Sequence, residues 1–200
     1  MDTITAIQAR RSIRRFKPDP VPRELTQAVL QAGMNAPSAK NRQPWRFYVV
    51  SGAAKEQMAE AMRTDLQWQE DSGMDSEEDR ALLKGAWYTL GIMEKAPVTI
   101  FIFNPFGKPP TEGLAPYGER FFELANAQSV GAAIQNMCLA ACEQDLGSLW
   151  ICDVFSAFHS LGKWLQTDAQ LVAALSLGYP DETPPARPRV PVGEITTYLE

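Results

Sequence analysis

Five basic residues fall within eight positions in Arg10-Arg11-Ser12-Ile13-Arg14-Arg15-Phe16-Lys17, and no acid interrupts them. Guanidinium groups make their strongest hydrogen bonds to oxyanions. Arg10 and Arg14 stand four apart, so a turn here aims both, with the Ser12 hydroxyl, at one phosphate; a solvated basic turn is the plainer alternative. Arg187-Pro188-Arg189 forms a second basic element in a proline-stiffened segment, where rigidity lowers the entropy cost of holding two arginines in place. Neither cluster has the interleaved aromatics or groove-reading motif of a nucleic-acid surface, and the net charge of -5 with a pI near 5.0 disfavours one. One phosphorylated small molecule is the more economical target.

Two loops add uncharged hydrogen-bonding groups. Pro37, Ser38, Asn41 and Gln43 lie between Ala36 and Pro44, where their side chains can pair with the edges of a heteroaromatic ring or simply cap a loop that leads into a strand. In Asp145-Leu146-Gly147-Ser148-Leu149-Trp150 a glycine permits close backbone approach, leaving an N–H to face a ring nitrogen; a helix end and strand start explain it equally well. Other chemistries are poorly supplied. His159 is the sole histidine, the acids have no ligand spacing, and the three cysteines, Cys138, Cys142 and Cys152, read as core thiols. No metal site and no catalytic acid, base or nucleophile is assigned. Neither a Gly-x-Gly-x-x-Gly run nor a Walker loop is present, so a nicotinamide would visit rather than reside.

The elements that position these residues follow from periodicity. Helices are expected from Asp2 or Thr3 to about Arg11, from Pro22 to the stop at Gly33 and Asn35, from Ala53 to Trp68, up to Tyr88, from Phe121 to Asp145 with Gly147 ending it, and from Ser156 to Gln166. Strands are expected at Trp45 to Val50, Pro97 to Phe103, Leu149 to Cys152 and Leu171 to Leu177. Gln69 to Asp79 reads as a solvated acidic loop, Asn104 to Gly118 as an irregular loop, Pro184 to Pro191 as extended, and Val192 to Leu199 as an arm or edge strand. Helices dispersed among strands imply an α+β sandwich, a mostly antiparallel or mixed sheet flanked by helices. The helix after Phe121 is apolar nearly all round, hence buried in its own fold or by a partner subunit. With 200 residues, 45% hydrophobic, the chain makes a single domain, 1–200, with an extended C-terminal segment from about 184. Met1 to Ala9 is no secretory signal and no stretch approaches the roughly 20 apolar residues of a membrane span, so the cytoplasm is the expected compartment and a membrane is not a partner.

Six segments in order resemble the nitroreductase family over nearly the whole chain: Arg-Arg-Ser-Ile-Arg-Arg-Phe, Ala-Pro-Ser-Ala-Lys-Asn-Arg-Gln-Pro-Trp, Gly-Ala-Ala-Ile-Gln-Asn-Met-Cys-Leu-Ala-Ala, Leu-Gly-Ser-Leu-Trp, Leu-Gly-Tyr-Pro and Arg-Pro-Arg-Val-Pro-Val. The resemblance implies a nitroreductase-like sandwich with a long buried central helix, bound FMN, NAD(P)H as transient reductant, and a homodimer with flavin sites at its interface. Arg10 and Ser12, with Arg187 and Arg189, would hold the FMN phosphate and ribityl chain, supported by Arg11. Arg14 would reach the pyrimidine edge, where a fixed cation favours the charge left by two-electron reduction. Pro37, Ser38, Asn41 and Gln43 would approach from the other subunit, and Ser148, Leu149 and Trp150 would lie by the ring with a backbone N–H near N5.

The implied reaction is ping-pong electron transfer from NAD(P)H to nitroaromatics, quinones or activated alkenes, with hydride chemistry on flavin N5. Before the second strand, Thr89 or Lys84 is the candidate for further polar contacts. Trp68, Trp87, Tyr88 and Phe106 are candidates for a substrate lid or for ordinary packing. The alternative functions are a non-catalytic FMN-binding sensor whose ring face is blocked and, further off, an adaptor binding a phosphorylated or nucleic-acid partner through Arg10 to Lys17.

Overall fold

A computed structural model describes residues 1–73, 76–108 and 117–199. Four strands, β1 (Arg46–Ser51), β2 (Val98–Asn104), β3 (Gly147–Ile151) and β4 (Gln170–Gly178), form one sheet in the order β1-β2-β4-β3, with every pairing antiparallel. Among the described residues six helices flank it: α1 (Thr3–Ala9), α2 (Arg23–Met34), α3 (Ala54–Ser72), α4 (Glu77–Met93), α5 (Tyr117–Glu143) and α6 (Phe158–Leu165). The fold is α+β.

The sandwich follows from strand alternation in the middle of the sheet. Along β2, Val98, Ile100 and Ile102 face a core shared with Val29 of α2 and with Val130, Ile134 and Met137 of α5. Phe101 and Phe103 face the opposite core, with Met58, Met62 and Leu66 of α3, Leu90 and Met93 of α4, and Leu161 of α6. All seven residues of β2 are buried. Full burial of each large side chain stabilises by roughly 1.5–3 kcal/mol. Of the two polar residues of β2, Thr99 has its hydroxyl 3.4 Å from that of Ser176 on β4, and the Asn104 side chain donates to Gln170 at 3.1 Å.

Local chemistry sets the element ends. Asp2 caps α1 by accepting the Thr5 N–H at 3.1 Å and the Thr5 hydroxyl; those bonds to the charged form hold its carboxyl below the ordinary carboxylate range. Arg10, expected to be helical, is instead the extended C-cap of α1, so the basic run leaves the helix at its first residue. Pro22 caps α2 and Asn35 ends it, close to the expected boundaries.

The acidic stretch is the main correction. Gln69 to Ser72 continue α3, and Glu77 to Asp79 begin α4. Gln67 donates to the Asp71 carboxylate at 3.0 Å across one helical turn. In α4, Ser76 accepts the Asp79 N–H at 2.9 Å, and Glu77, Glu78 and Asp79 occupy the first turn, where the helix dipole favours negative charge. The charge marked two helix ends rather than solvent.

Gly147 does not end α5. Asp145, at φ 57°, takes the left-handed position, the Leu146 N–H donates back to Ala141 at 2.9 Å, and Gly147 opens β3. The helix expected from Ser156 begins as a 3-10 turn, Asp153–Ala157, and becomes α6 at Phe158. Asp65 of α3 caps it, accepting the Ser160 N–H at 2.8 Å and its hydroxyl at 2.5 Å. Helix α5 buries Val130, Ala133, Ile134, Met137, Cys138 and Ala141 but leaves Phe121 and Leu124 exposed near its start. Of the irregular loop expected at Asn104 to Gly118, 109–116 lie outside the described residues, and α5 takes up its last two positions. Past β4 the chain is extended, and Val192–Glu194 forms a 3-10 turn instead of an edge strand. Among the described residues no helix is long and apolar enough to cross a membrane.

Candidate functional site

Residues 10–17 form an extended ribbon between two neighbours. On one side Ser12 bridges Ser148 in parallel and the Ile13 N–H donates to the Ser148 carbonyl at 2.9 Å. On the other, Phe16 bridges Pro180, the Lys17 N–H donates to Tyr179 and the Asp181 N–H to Arg15, both at 2.9 Å. Ile13 and Phe16 point into the core, so the residues between and beside them face outward.

Two glycines make this docking possible. Gly147 and Gly178 are paired across β3 and β4. A Cβ on Gly147 would stand 2.8 Å from Ile13, and one on Gly178 would stand 2.9 Å from Phe16 and 2.5 Å from Pro97. The absent side chains are the space that the two ribbon residues occupy.

The ribbon and the tail then meet. Arg10, Arg11, Ser12 and Arg14 line a cleft of about 470 Å³ with Pro184, Ala186, Arg187 and Arg189. Glu182 fixes the junction: its carboxylate accepts the Arg14 N–H at 2.5 Å and the Arg15 N–H at 3.2 Å, and pairs with Arg15 Nε at 3.4 Å. This residue was missed in the sequence. An acid 168 positions from Arg14 gives no local signal, and the basic run by itself reads as in need of an outside anion.

The arginines differ in what they are free to do. Arg11 donates to the carbonyls of Gln8, at 2.6 Å, and Arg10, at 2.9 Å, and so caps the C-terminus of α1. Arg14 reaches the Ser12 carbonyl at 3.4 Å. Among the described residues the guanidinium groups of Arg10, Arg14, Arg187 and Arg189 have no carboxylate partner, although the Arg14 backbone N–H is held by Glu182. Three guanidinia, Arg10, Arg187 and Arg189, with the Ser12 hydroxyl are the donor set that a phosphate dianion requires.

Residues from β3 lie next to the ribbon, not on the cleft wall. Ser148 is buried, and Leu149 packs in the core, so only its backbone can reach a ligand. Trp150 is 41% exposed, with its indole over Gly131 of α5. Cys138 is buried beside Ser148; burial pushes its thiol above the ordinary value, against opposing effects of the Ser148 hydrogen bond and Arg10.

Pro37, Ser38, Asn41 and Gln43 are absent from the cleft. Their loop lies along the first half of α5, with the Ala39 N–H 3.4 Å from the Ser129 hydroxyl, and the Ser38 hydroxyl accepts the Gln43 N–H at 3.0 Å. Pro37, Asn41 and Gln43 are exposed. Lys40, Asn41 and Gln43 all have φ near +50°, three non-glycine residues in the left-handed region within four positions. Each such lysine or glutamine costs on the order of 1–2 kcal/mol, and strain of this kind concentrates where a ligand is clamped.

The remaining candidates separate cleanly. The Thr89 hydroxyl turns into the core and donates to Ala86 at 3.2 Å, while Lys84 is exposed on α4; neither lines the cleft. Trp87 packs against the core, Trp68 and Tyr88 are exposed, and Phe106 lies over Arg42. His159 is exposed on α6.

Comparison with known proteins agrees with the order of these parts. YfhC of Bacillus subtilis, which carries the name of an NAD(P)H nitroreductase, is 28% identical across 96% of this chain and 92% of its own length. A BluB-like flavoprotein from Clostridium difficile matches all of both chains with a TM-score of 0.80 and 27% identity. A protein from Desulfovibrio desulfuricans, described as a nitroreductase and solved in complex with FMN, matches all of this chain and 98% of that one, at 0.72 and 26%. Residues 7–179, which contain the ribbon, the strained loop and the whole sheet, match the model of one family. The chain belongs to the nitroreductase family.

Proposed function

We propose that this chain is an FMN-dependent oxidoreductase that takes electrons from NAD(P)H and passes them, by a ping-pong mechanism, to small electron-poor acceptors such as nitroaromatics, quinones and activated alkenes. The observation that carries the reading is the convergence of Arg10, Ser12, Arg187 and Arg189 on one cleft. Those residues fit the phosphate and ribityl chain. Arg11, spent on the end of α1, supports them by fixing where the ribbon leaves the helix. Arg14 supplies positive charge toward the pyrimidine edge, and β3 brings the backbone of Ser148, Leu149 and Trp150 alongside. FMN, when bound, supplies the two-electron chemistry that these side chains lack. The protein's own residues bind and orient it, and the two substrates take turns in one pocket.

The working form is a homodimer. Pro37, Asn41 and Gln43 are exposed, Ser38 is half-buried, and all four are outside the cleft of their own chain, as residues serving a partner's flavin must be. The outer edge of β1 has no strand partner among the described residues, and the tail exposes Val190, Val192, Ile195, Tyr198 and Leu199. An exposed apolar arm and an open sheet edge each favour association. The cytoplasm, where NAD(P)H is available, is the compartment that suits this activity.

A visible spectrum of the purified protein, taken anaerobically before and after NADH and then NADPH, tests the reading. Flavin bands that bleach on addition are the expected result. Bands that persist favour the sensor alternative, and no flavin after incubation with FMN overturns the proposal.

A further inference from the structure

The strained loop carries two cations that the flavin assignment does not use. Arg42 is half-buried, with its guanidinium carbon 4.5 Å from the centre of the Phe106 ring and 4.8 Å from that of Phe122. Lys40 Nζ lies 5.5 Å from the same Phe122 ring. Two phenyl rings therefore lie against the Arg42 guanidinium; they attract its charge but accept none of its in-plane hydrogen bonds. Among the described residues neither cation has a carboxylate partner, and no side-chain hydrogen bond engages Arg42. A half-buried guanidinium held flat with its N–H edge unclaimed is a preorganised receptor for an oxyanion.

Its position gives that receptor a purpose. Ser38, Asn41 and Gln43, proposed above to approach the flavin, alternate with Lys40 and Arg42 along a stretch of six residues. The left-handed φ of Lys40, Asn41 and Gln43 holds the stretch against α5. On α5 the surface beneath it is Phe122, Asn126 and Ser129, one helical face by spacing. The Asn126 side chain on this face is buried, so the groups that the loop adds there for an outside ligand are the phenyl rings and the two cations. Phenyl rings and two cations together suit a flat molecule with an anionic substituent.

We propose that Lys40 and Arg42 form an anion-recognising rim of the acceptor pocket, which selects flat, electron-poor acceptors bearing a carboxylate or sulfonate over neutral ones of the same ring system. The inference rests on the proposed function, since it needs the flavin beside this loop. The anion is assigned to the acceptor, and the phosphates of the reduced nicotinamide are the competing occupant that the test separates.

The test compares para-nitrobenzoate with nitrobenzene on the flavin-loaded protein. Calorimetric titration gives binding to the oxidised protein, and steady-state oxidation of NADH gives kcat/KM for each acceptor. Loss of a charge-assisted contact predicts that the preference for the carboxylate, as a ratio of affinities and of kcat/KM, falls roughly ten-fold or more in Arg42→Gln and less in Lys40→Gln. It recovers in large part in Arg42→Lys, and in the unaltered protein it shrinks with added salt. An equal loss for both acceptors makes Arg42 a prop for the loop and overturns the proposal. A loss confined to reduction of the flavin by NADH or NADPH assigns the cations to the reductant and overturns it as well. Failure of the underlying reading looks different: that protein holds no flavin or is not reduced at all, whereas a working reductase with an unaltered ratio in all variants defeats this inference alone.

Discussion

Arg10 and Arg11 are neighbours with different jobs, and the difference is visible only in where their guanidinia end. Arg11 is spent on the carbonyls of Gln8 and Arg10, while Arg10 faces the cleft with Arg187 and Arg189. Arg10→Ala and Arg189→Ala are each expected to weaken FMN binding by about 1.5 to 3 kcal/mol, read from flavin fluorescence during titration. Retention of full affinity in the double variant would remove the phosphate assignment. The thiols offer a separate prediction. Burial raises Cys138, Cys142 and Cys152 above the ordinary thiol value, with Arg10 pulling the other way at the first two. A raised folded-state pKa means that the native state favours the protonated thiol. That contribution is complete below the unfolded value and is lost as pH rises through the folded one. Melting temperature should therefore fall as pH rises above the ordinary thiol value of about 8.5, and Cys138→Ala should flatten the decline. A slope unchanged by the substitution would place the effect elsewhere.

At the scale of elements, the glycine pair and the strained turns decide how the site is held. Gly147→Ala forces a methyl to within 2.9 Å of Ile13 and should destabilise by about 1–3 kcal/mol in chemical denaturation; combined with Ile13→Ala its cost should be less than additive. Gln166, with φ 53° at the end of α6, is a left-handed cap filled by a residue with a Cβ. Gln166→Gly should stabilise by roughly 0.5–1 kcal/mol, seen as a higher denaturation midpoint. Strand positions were legible because β2 and β4 are short apolar runs between breakers, and the helices of the core were legible from their stripes. The extent of α3 was not, since Glu70 and Asp71 read equally as solvated loop or as the exposed face of a helix. The turn after α5 was misplaced because Gly147 looked like the helix stop, when its use is to admit Ile13. In the site, the arginines announced themselves by density, and the polar loop by composition. Glu182 and the Arg42 stack remained hidden because their partners are distant in sequence.

For the whole molecule the question is completeness. One chain presents an arginine cleft, an adjoining β3 backbone, a polar loop turned away from that cleft, an open edge at β1 and an apolar tail. Deleting residues 190–199 leaves the sheet and both cores intact, since that tail is exposed. It should shift sedimentation from dimer toward monomer at micromolar concentration and weaken flavin retention in step. A truncated chain that remains dimeric with flavin fully bound would place the interface elsewhere. The arrangement of the cleft also bears on how the protein is made. Its two walls are separated by most of the chain, with Arg14 held to Glu182 across 168 positions. During synthesis the ribbon leaves the ribosome long before the tail does, and a nascent chain can assemble its sheet only once β4 emerges. An anion bridging Arg10 and Arg189 would act as a reversible staple across a very long loop, the kind of closure whose entropic cost grows only slowly with length. On the proposed assignment, cofactor capture is then the last step of maturation, and a chain interrupted before its final arginines should be left without its flavin.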